Sequence, residues 1–247
     1  SFDKNELEYL QSGVIEEIYE RQMNDVGGED VVREIADYGS AKHLLSYDER
    51  FLRLTIDRII LDVVERLLGD FFVLNLLNAV LIKPNQFNPA SSWHRDIPHQ
   101  HFTSSRPLSI SALHVIDDFN SQSGGTALLP GSHRFELFPS TRYVEKNLIE
   151  IEAAAGDLLI FDSMTYHRAG HNNGHGIRRS ISNIYTSPLI RQQISLPALL
   201  GGKYSDDPFL SKFLGYETQE QGDVLSWRKT RIAQKVGTRI SPLTDPN

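Results

Sequence analysis

Phe71-Phe72-Val73-Leu74-Asn75-Leu76-Leu77-Asn78-Ala79-Val80-Leu81-Ile82-Lys83 is the stretch on which the fold turns. It follows Gly69, stops at Pro84, and is rich in Val, Leu, Ile and Phe, which is the composition and punctuation of a strand. Beyond it the chain keeps one texture. Short β-like runs at Pro107 to Ile116, Thr126 to Leu129, Leu158 to Phe161 and Arg178 to Ser187 are separated by loops of Pro, Gly, Asn and Ser. That pattern belongs to an antiparallel sandwich or barrel.

Working outward, the residues before Gly69 read as helix. From Asp3 to Met23 the apolar positions Leu7, Leu10, Val14, Ile15 and Ile18 recur at helical spacing, with Asp3 placed to cap and Glu6 three residues on. A second periodic run from Asp48 to Leu68 is more strongly apolar and suits a brace packed on a sheet. On the far side, Leu196 to Asn247 reads as irregular and is expected to serve as a lid or an oligomer contact. The expectation is therefore a mostly β protein with flanking helices. It forms one domain over 1–247: a helical brace at 1–70, a β core with the site at 71–195 and an extension at 196–247.

Composition narrows the chemistry. At 247 residues and 40% hydrophobic, the chain can bury a sizeable core. Its net charge of −7 argues against nucleic acid or an anionic membrane as the main partner. Cys is absent, so any metal must be held by His, Asp and Glu. No run of about 18 apolar residues occurs, and Ser1-Phe2-Asp3-Lys4 lacks the features of a signal peptide. A cytoplasmic location is expected, with an N-terminus trimmed before Ser1.

The loop after the Phe71 strand holds Ser92-Trp93-His94-Arg95-Asp96. In extended chain, His94 and Asp96 leave the same face and can converge on one ion. Alone the pair means little, since roughly 0.6 His-x-Asp triplets are expected by chance. A partner is offered by His167, where the Leu158 strand opens into a Gly/Asn-rich loop; His171 and His175 compete with it. Eleven residues on stands Arg178, whose fork suits a carboxylate, while Arg179 takes the opposite face and Ser180 is placed to assist the guanidinium. Two imidazoles and one carboxylate on one face of an ion leave three positions open, the arrangement that non-haem Fe(II) oxygenases use for a keto acid and O2.

The order Trp93-His94-Arg95-Asp96, Gly124-Gly125-Thr126-Ala127-Leu128-Leu129-Pro130-Gly131-Ser132-His133, Gly156-Asp157-Leu158, then His167 with Asn172 and Arg178, resembles the phytanoyl-CoA dioxygenase family. The resemblance runs from about Leu44 to Gln193. It implies a double-stranded β-helix (jelly-roll, cupin-like) braced by N-terminal helices, Fe(II) at His94, Asp96 and His167, and 2-oxoglutarate at Arg178, with O2 as second cosubstrate. Asn78 joins Arg178 and Ser180 as a candidate cosubstrate contact, and Lys83 is a further candidate. Two departures stand out. The Ser or Thr that often follows the distal His by two residues is Ala169 here, and the glycine-bearing strand that commonly precedes the first helix is missing. Asp96 fills the position that is small in related halogenases, which favours hydroxylation or another oxidation of a small-molecule substrate.

Two other readings compete. One is a non-catalytic relative that binds a metal or metabolite; the other is a zinc hydrolase using His94, His99 and His101. Trp93, Phe102 and His114 are candidates to line the pocket, and His133 with Arg134 reads as structural. Arg95, Arg106, Arg134, Arg142 and Lys146 favour a substrate with a carboxylate or phosphate, although the variable loops select no single class.

Overall fold

Asp3 opens the first helix by a reciprocal cap, its Oδ1 accepting from the Glu6 N–H at 2.8 Å while Glu6 Oε2 accepts from the Asp3 N–H. The structure, a computed structural model, describes residues 3–97 and 102–240. Its helices are α1 (Lys4–Gln11), α2 (Val14–Asp25), α3 (Glu29–Arg33), α4 (Leu52–Thr55), α5 (Arg58–Leu68), α6 (Thr141–Asn147), α7 (Leu196–Leu200), α8 (Pro208–Phe213) and α9 (Val224–Ile240). Its strands are β1 (Ser40–Ala41), β2 (Val73–Ile82), β3 (Ser109–Val115), β4 (Thr126–Leu128), β5 (Ile149–Glu150), β6 (Leu158–Asp162), β7 (His167–Ala169) and β8 (Arg178–Thr186).

Both N-terminal helical runs are real but broken. The Asp3–Met23 run splits at Gly13, whose φ of 102° ends α1 and starts α2. The apolar spacing continues across the break because both pieces press Leu10, Ile15 and Ile18 onto one core. Likewise the Asp48–Leu68 run divides at Asp57, whose carboxylate accepts from the Ile59 N–H at 2.8 Å and caps α5 afresh.

All strand pairings are antiparallel, in a five-stranded sheet ordered β1-β2-β8-β3-β6 and a three-stranded sheet ordered β5-β4-β7. Alternation gives the larger sheet two distinct faces. Leu77, Ala79 and Leu81 of β2, with Ile181 and Tyr185 of β8, meet Phe51, Leu54, Ile60 and Val64 from the helical side. Each Leu, Ile, Val or Phe among them contributes about 1.5–3 kcal/mol when buried. The residues between them, Leu76, Asn78 and Val80 on β2 and Arg178, Ser180, Ser182 and Ile184 on β8, face the other way and line a cavity.

Polar groups stitch the helices to the sheet. Arg179 grips both oxygens of Asp117 (2.7 and 2.8 Å) and reaches the carbonyl of Gln11 and the Glu16 carboxylate of the N-terminal helices. Tyr185 donates its hydroxyl to the Thr55 carbonyl at 2.9 Å. His114 turns to this helical side, its Nε2 3.0 Å from the Leu54 carbonyl, so it does not line the pocket. Burial there pushes the His114 imidazole down to about 4.

Over its described residues, 196–240, the tail expected to be irregular carries helices α7, α8 and α9, and 241–247 lie outside the described residues. Leu196, Phe213 and Leu214 join the main core, and Phe213 meets Phe72 edge-on at 6.1 Å, so local Gly and Asp-Pro punctuation marked helix ends rather than loops. No described helix is long and apolar enough to cross a membrane.

Candidate metal centre and its cavity

His94 and His167 are brought together by main-chain hydrogen bonds. They face each other as an isolated antiparallel bridge, each N–H donating to the other's carbonyl at 3.0 Å, and their rings stand 4.3 Å apart. Two residues on, the Asp96 N–H donates to the Ser163 carbonyl at 3.1 Å and turns its carboxylate to the same side. One ligand atom from each of His94, Asp96 and His167 lies within 4.8 Å of the others.

Hydrogen bonds also decide which atoms are on offer. His94 Nδ1 lies 2.8 Å from the Ser92 carbonyl and His167 Nδ1 3.0 Å from the Thr165 carbonyl. A carbonyl can only accept, so each Nδ1 carries the proton and each Nε2 presents a lone pair. Ser111 donates to Asp96 Oδ2, leaving Oδ1 free at 3.5 Å from His167 Nε2. Behind it the hydroxyls of Ser111, Ser163 and Ser109 form a buried chain with links of 2.7 Å.

Electrostatics agree with the geometry. Burial would raise the Asp96 carboxyl, but the two imidazoles and Ser111 outweigh it and hold it below its ordinary value. Burial would lower His167, yet Asp96 outweighs that and raises it. His94 is pushed down, by burial first and then by His167. A buried carboxyl held below its ordinary value beside two imidazoles suits a dication, and the donors, two nitrogens and one oxygen, suit a divalent transition metal.

The cavity, of about 140 Å³, continues past these three residues to Arg178. That guanidinium is buried, with Nε and Nη1 lacking hydrogen bonds and its carbon 4.5 Å from the Phe119 ring centre. Burial pushes it down to about 10, with Asp117 opposing. Such a group awaits an anion. Asn78 and Ser180 line the same wall, Asn78 with its Oδ1 committed to the His43 N–H at 2.9 Å. Ala169 also lines the cavity, and its cross-strand partner Thr126 presents a hydroxyl-bearing side chain beside it.

Other expectations change. His171 and His175 are exposed and stand apart from the cluster. Asn172 is structural: Nδ2 donates to the Ile82 and Gly176 carbonyls, both at 2.8 Å, and Oδ1 accepts from the Gly174 N–H, folding the loop back toward Arg178. Lys83 pairs with Glu29 at 2.8 Å and is not among the cavity residues. Arg95 is buried, donating to the Ser132 and Phe135 carbonyls and lying 4.2 Å over the Tyr166 ring, so it is not free to meet a substrate. Neither Trp93 nor Phe102 is part of the cavity wall, although Arg168, which does line it, lies 5.1 Å over the Trp93 ring. His99 and His101 of the zinc alternative lie outside the described residues.

The Gly-Gly-Thr and Pro-Gly-Ser blocks are scaffolding for β7. A Cβ on Gly124 would fall 2.3 Å from the His171 carbonyl oxygen and one on Gly125 2.0 Å from that of Ile151. Ser132 Oγ accepts from the Tyr166 N–H at 2.8 Å, one residue before His167. Sequence reasoning missed the Ser109, Ser111 and Ser163 chain. Its signal was the alternation of small hydroxyls on an otherwise apolar strand, Ser109-x-Ser111.

Comparison with known proteins bears on the family and the fold. The family model described as "Phytanoyl-CoA dioxygenase (PhyH)" matches residues 3–180. "Uncharacterized protein Mb1539" of Mycobacterium bovis is 29% identical over 191 residues, covering 74% of this chain and 68% of the relative. The "Iron/alpha-ketoglutarate-dependent dioxygenase ausO" of Aspergillus calidoustus is 27% identical over 170 residues, covering 64% of this chain and 55% of that one. Among solved structures, EctD from S. alaskensis with bound Fe superposes with a TM-score of 0.60 at 19% identity, over 78% of this chain and 72% of its own. Another EctD structure holds 2-oxoglutarate and 5-hydroxyectoine. At that identity the likeness is one of fold.

Proposed function

This chain is a member of the phytanoyl-CoA dioxygenase family, and from that premise we propose that it is an Fe(II)- and 2-oxoglutarate-dependent dioxygenase that oxidises a small molecule. The two antiparallel sheets are read as the halves of one double-stranded β-helix, in a single oxygenase domain over 1–247. His94 Nε2, His167 Nε2 and Asp96 Oδ1 would hold the metal. Arg178 pairs with the far carboxylate of 2-oxoglutarate, with Ser180 and Asn78 on the same wall. Once bound, the iron and keto acid supply the oxidising power for reaction with O2, with release of succinate and CO2.

The protein's own part is positional. The bridge and the serine chain fix three donors before any ion arrives, and Nδ1 hydrogen bonds keep both imidazoles in the ligating tautomer. Leu76, Leu113, Ile184 and Phe161 wall the cavity and limit water near the reacting carbon. The hydroxyl absent at Ala169 is supplied by Thr126. Because Asp96 occupies the third donor position, oxygen transfer is favoured over halide transfer.

One observation supports this reading above the rest: a three-donor cluster and an unpartnered buried guanidinium share one cavity. Anaerobic addition of Fe(II) and 2-oxoglutarate should give a weak visible charge-transfer band that Asp96→Ala abolishes. Absence of the band from the unaltered protein overturns the proposal. Succinate release across a metabolite panel then identifies the substrate.

A further inference from the structure

Two surface features of this chain complement each other, and each leaves apolar side chains exposed among the described residues. The first is α9, which carries Arg228, Lys229, Arg231, Lys235 and Arg239 and no acid. Leu225 and Ile232, seven residues apart, share one side of the helix and are both more than half exposed, as are Val224 and Trp227. Arg228 and Arg231, three apart, run beside them. A water-soluble helix normally spends its apolar stripe on a neighbour, since most helical stability comes from such packing. Here the stripe meets solvent.

The second feature is the corner between α2 and α3. Val26, Val31 and Ile35 are each more than half exposed there. Around them stand Asp25, Asp30 and Glu34, none of which makes an ion pair among the described residues, whereas nearby Glu29 and Asp37 are already engaged by Arg33, Lys83 and Lys42. The sequence over 3–37 holds eleven acids against three bases. An acid-rimmed apolar patch and a base-rimmed apolar stripe match in both chemistry and sign.

We propose that α9 of one copy docks on the α2–α3 corner of a second copy, each copy giving and receiving a helix in a closed dimer. Leu225 and Ile232 cover Val26, Val31 and Ile35, while Arg228 and Arg231 meet Asp30 and Glu34. An acidic chain that carries its own basic helix has a partner of fitting charge in itself, which favours a second copy over an anionic membrane. The docking is independent of the oxygenase chemistry, and none of these residues belongs to the cavity.

Sedimentation velocity on the full chain tests the proposal. At about 0.05 M salt the chain should sediment as a dimer whose dissociation constant weakens by about tenfold or more at about 0.5 M. Arg228→Glu with Arg231→Glu should give monomer while keeping the circular dichroism spectrum and urea midpoint of the unaltered monomer, so that misfolding is distinguished from lost docking. Mixing that variant with Asp30→Arg, Glu34→Arg should restore association through the reversed pairs. A monomer under all conditions, a dimer indifferent to the double reversal, or a failure of the swapped pair to reassociate overturns the proposal. So does a chain that stays monomeric yet binds vesicles of phosphatidylserine and phosphatidylcholine through Arg228 and Arg231.

Discussion

Ser111 determines which oxygen of Asp96 faces an ion, because its hydroxyl engages Oδ2 and is itself held by Ser163. Outer hydrogen bonds of this kind typically tune metal affinity by about 10–100-fold. Ser111→Ala should therefore weaken Fe(II) or Co(II) binding by about tenfold in anaerobic titration while barely altering the melting temperature. Unchanged affinity would show that the serine chain only fills space. Thr126 tests the other end of the cavity. If its hydroxyl stands in for the one missing at Ala169, Thr126→Val should raise the KM for 2-oxoglutarate several-fold and leave the metal affinity intact. Residues such as His94, Asp96 and Arg178 were legible because their side chains announce chemistry at short or strand-like spacing. Ser111 and Thr126 were not, since a hydroxyl is equally at home in solvent, in a turn or behind a ligand.

The element that most constrains the site is β7, only three residues long. It can be so short because its partners are crowded onto it: Gly170 donates to the Gly125 carbonyl at 2.8 Å, and neither Gly124 nor Gly125 has room for a Cβ. Gly125→Ala must push backbone rather than a flexible side chain, and should cost about 2–3 kcal/mol by urea unfolding together with a loss of metal affinity. Gly222→Ala is the control, since open space surrounds it and its effect should be negligible. The long strands β2, β3 and β8 could be read from composition, as could the helical character of the N-terminus. The breaks at Gly13 and Asp57 could not, because apolar spacing reports which side of a segment is buried and is blind to where the axis bends. Helices α7 and α8 escaped for a related reason: each is too short to show a period, and their place is fixed by Leu196 and Phe213 joining the main core.

At the scale of the whole molecule, two buried histidines tie stability to acidity. His43 and His114 are both pushed down to about 4 by burial, and neither ring nitrogen of His43 finds a hydrogen bond. In the unfolded chain both would take up a proton near pH 6.5. Their contribution is thus complete above about pH 6.5 and is lost as the pH falls toward about 4, by up to about 3 kcal/mol each. Urea midpoints should drop across that interval, and His114→Gln should flatten the slope; an unchanged slope would assign the acid sensitivity elsewhere. The pairing of His94 with His167 has a consequence of another kind. On the same two segments, Trp93 and Arg95 alternate with His94 and stay out of the cavity, Arg95 lying over the Tyr166 ring. Inserting or deleting a single codon just before Trp93 would turn these bulky side chains into the cavity and throw the imidazole outward. The register of this loop is therefore as much a part of the site as its side chains, because the smallest change in length removes a ligand that no neighbouring residue replaces.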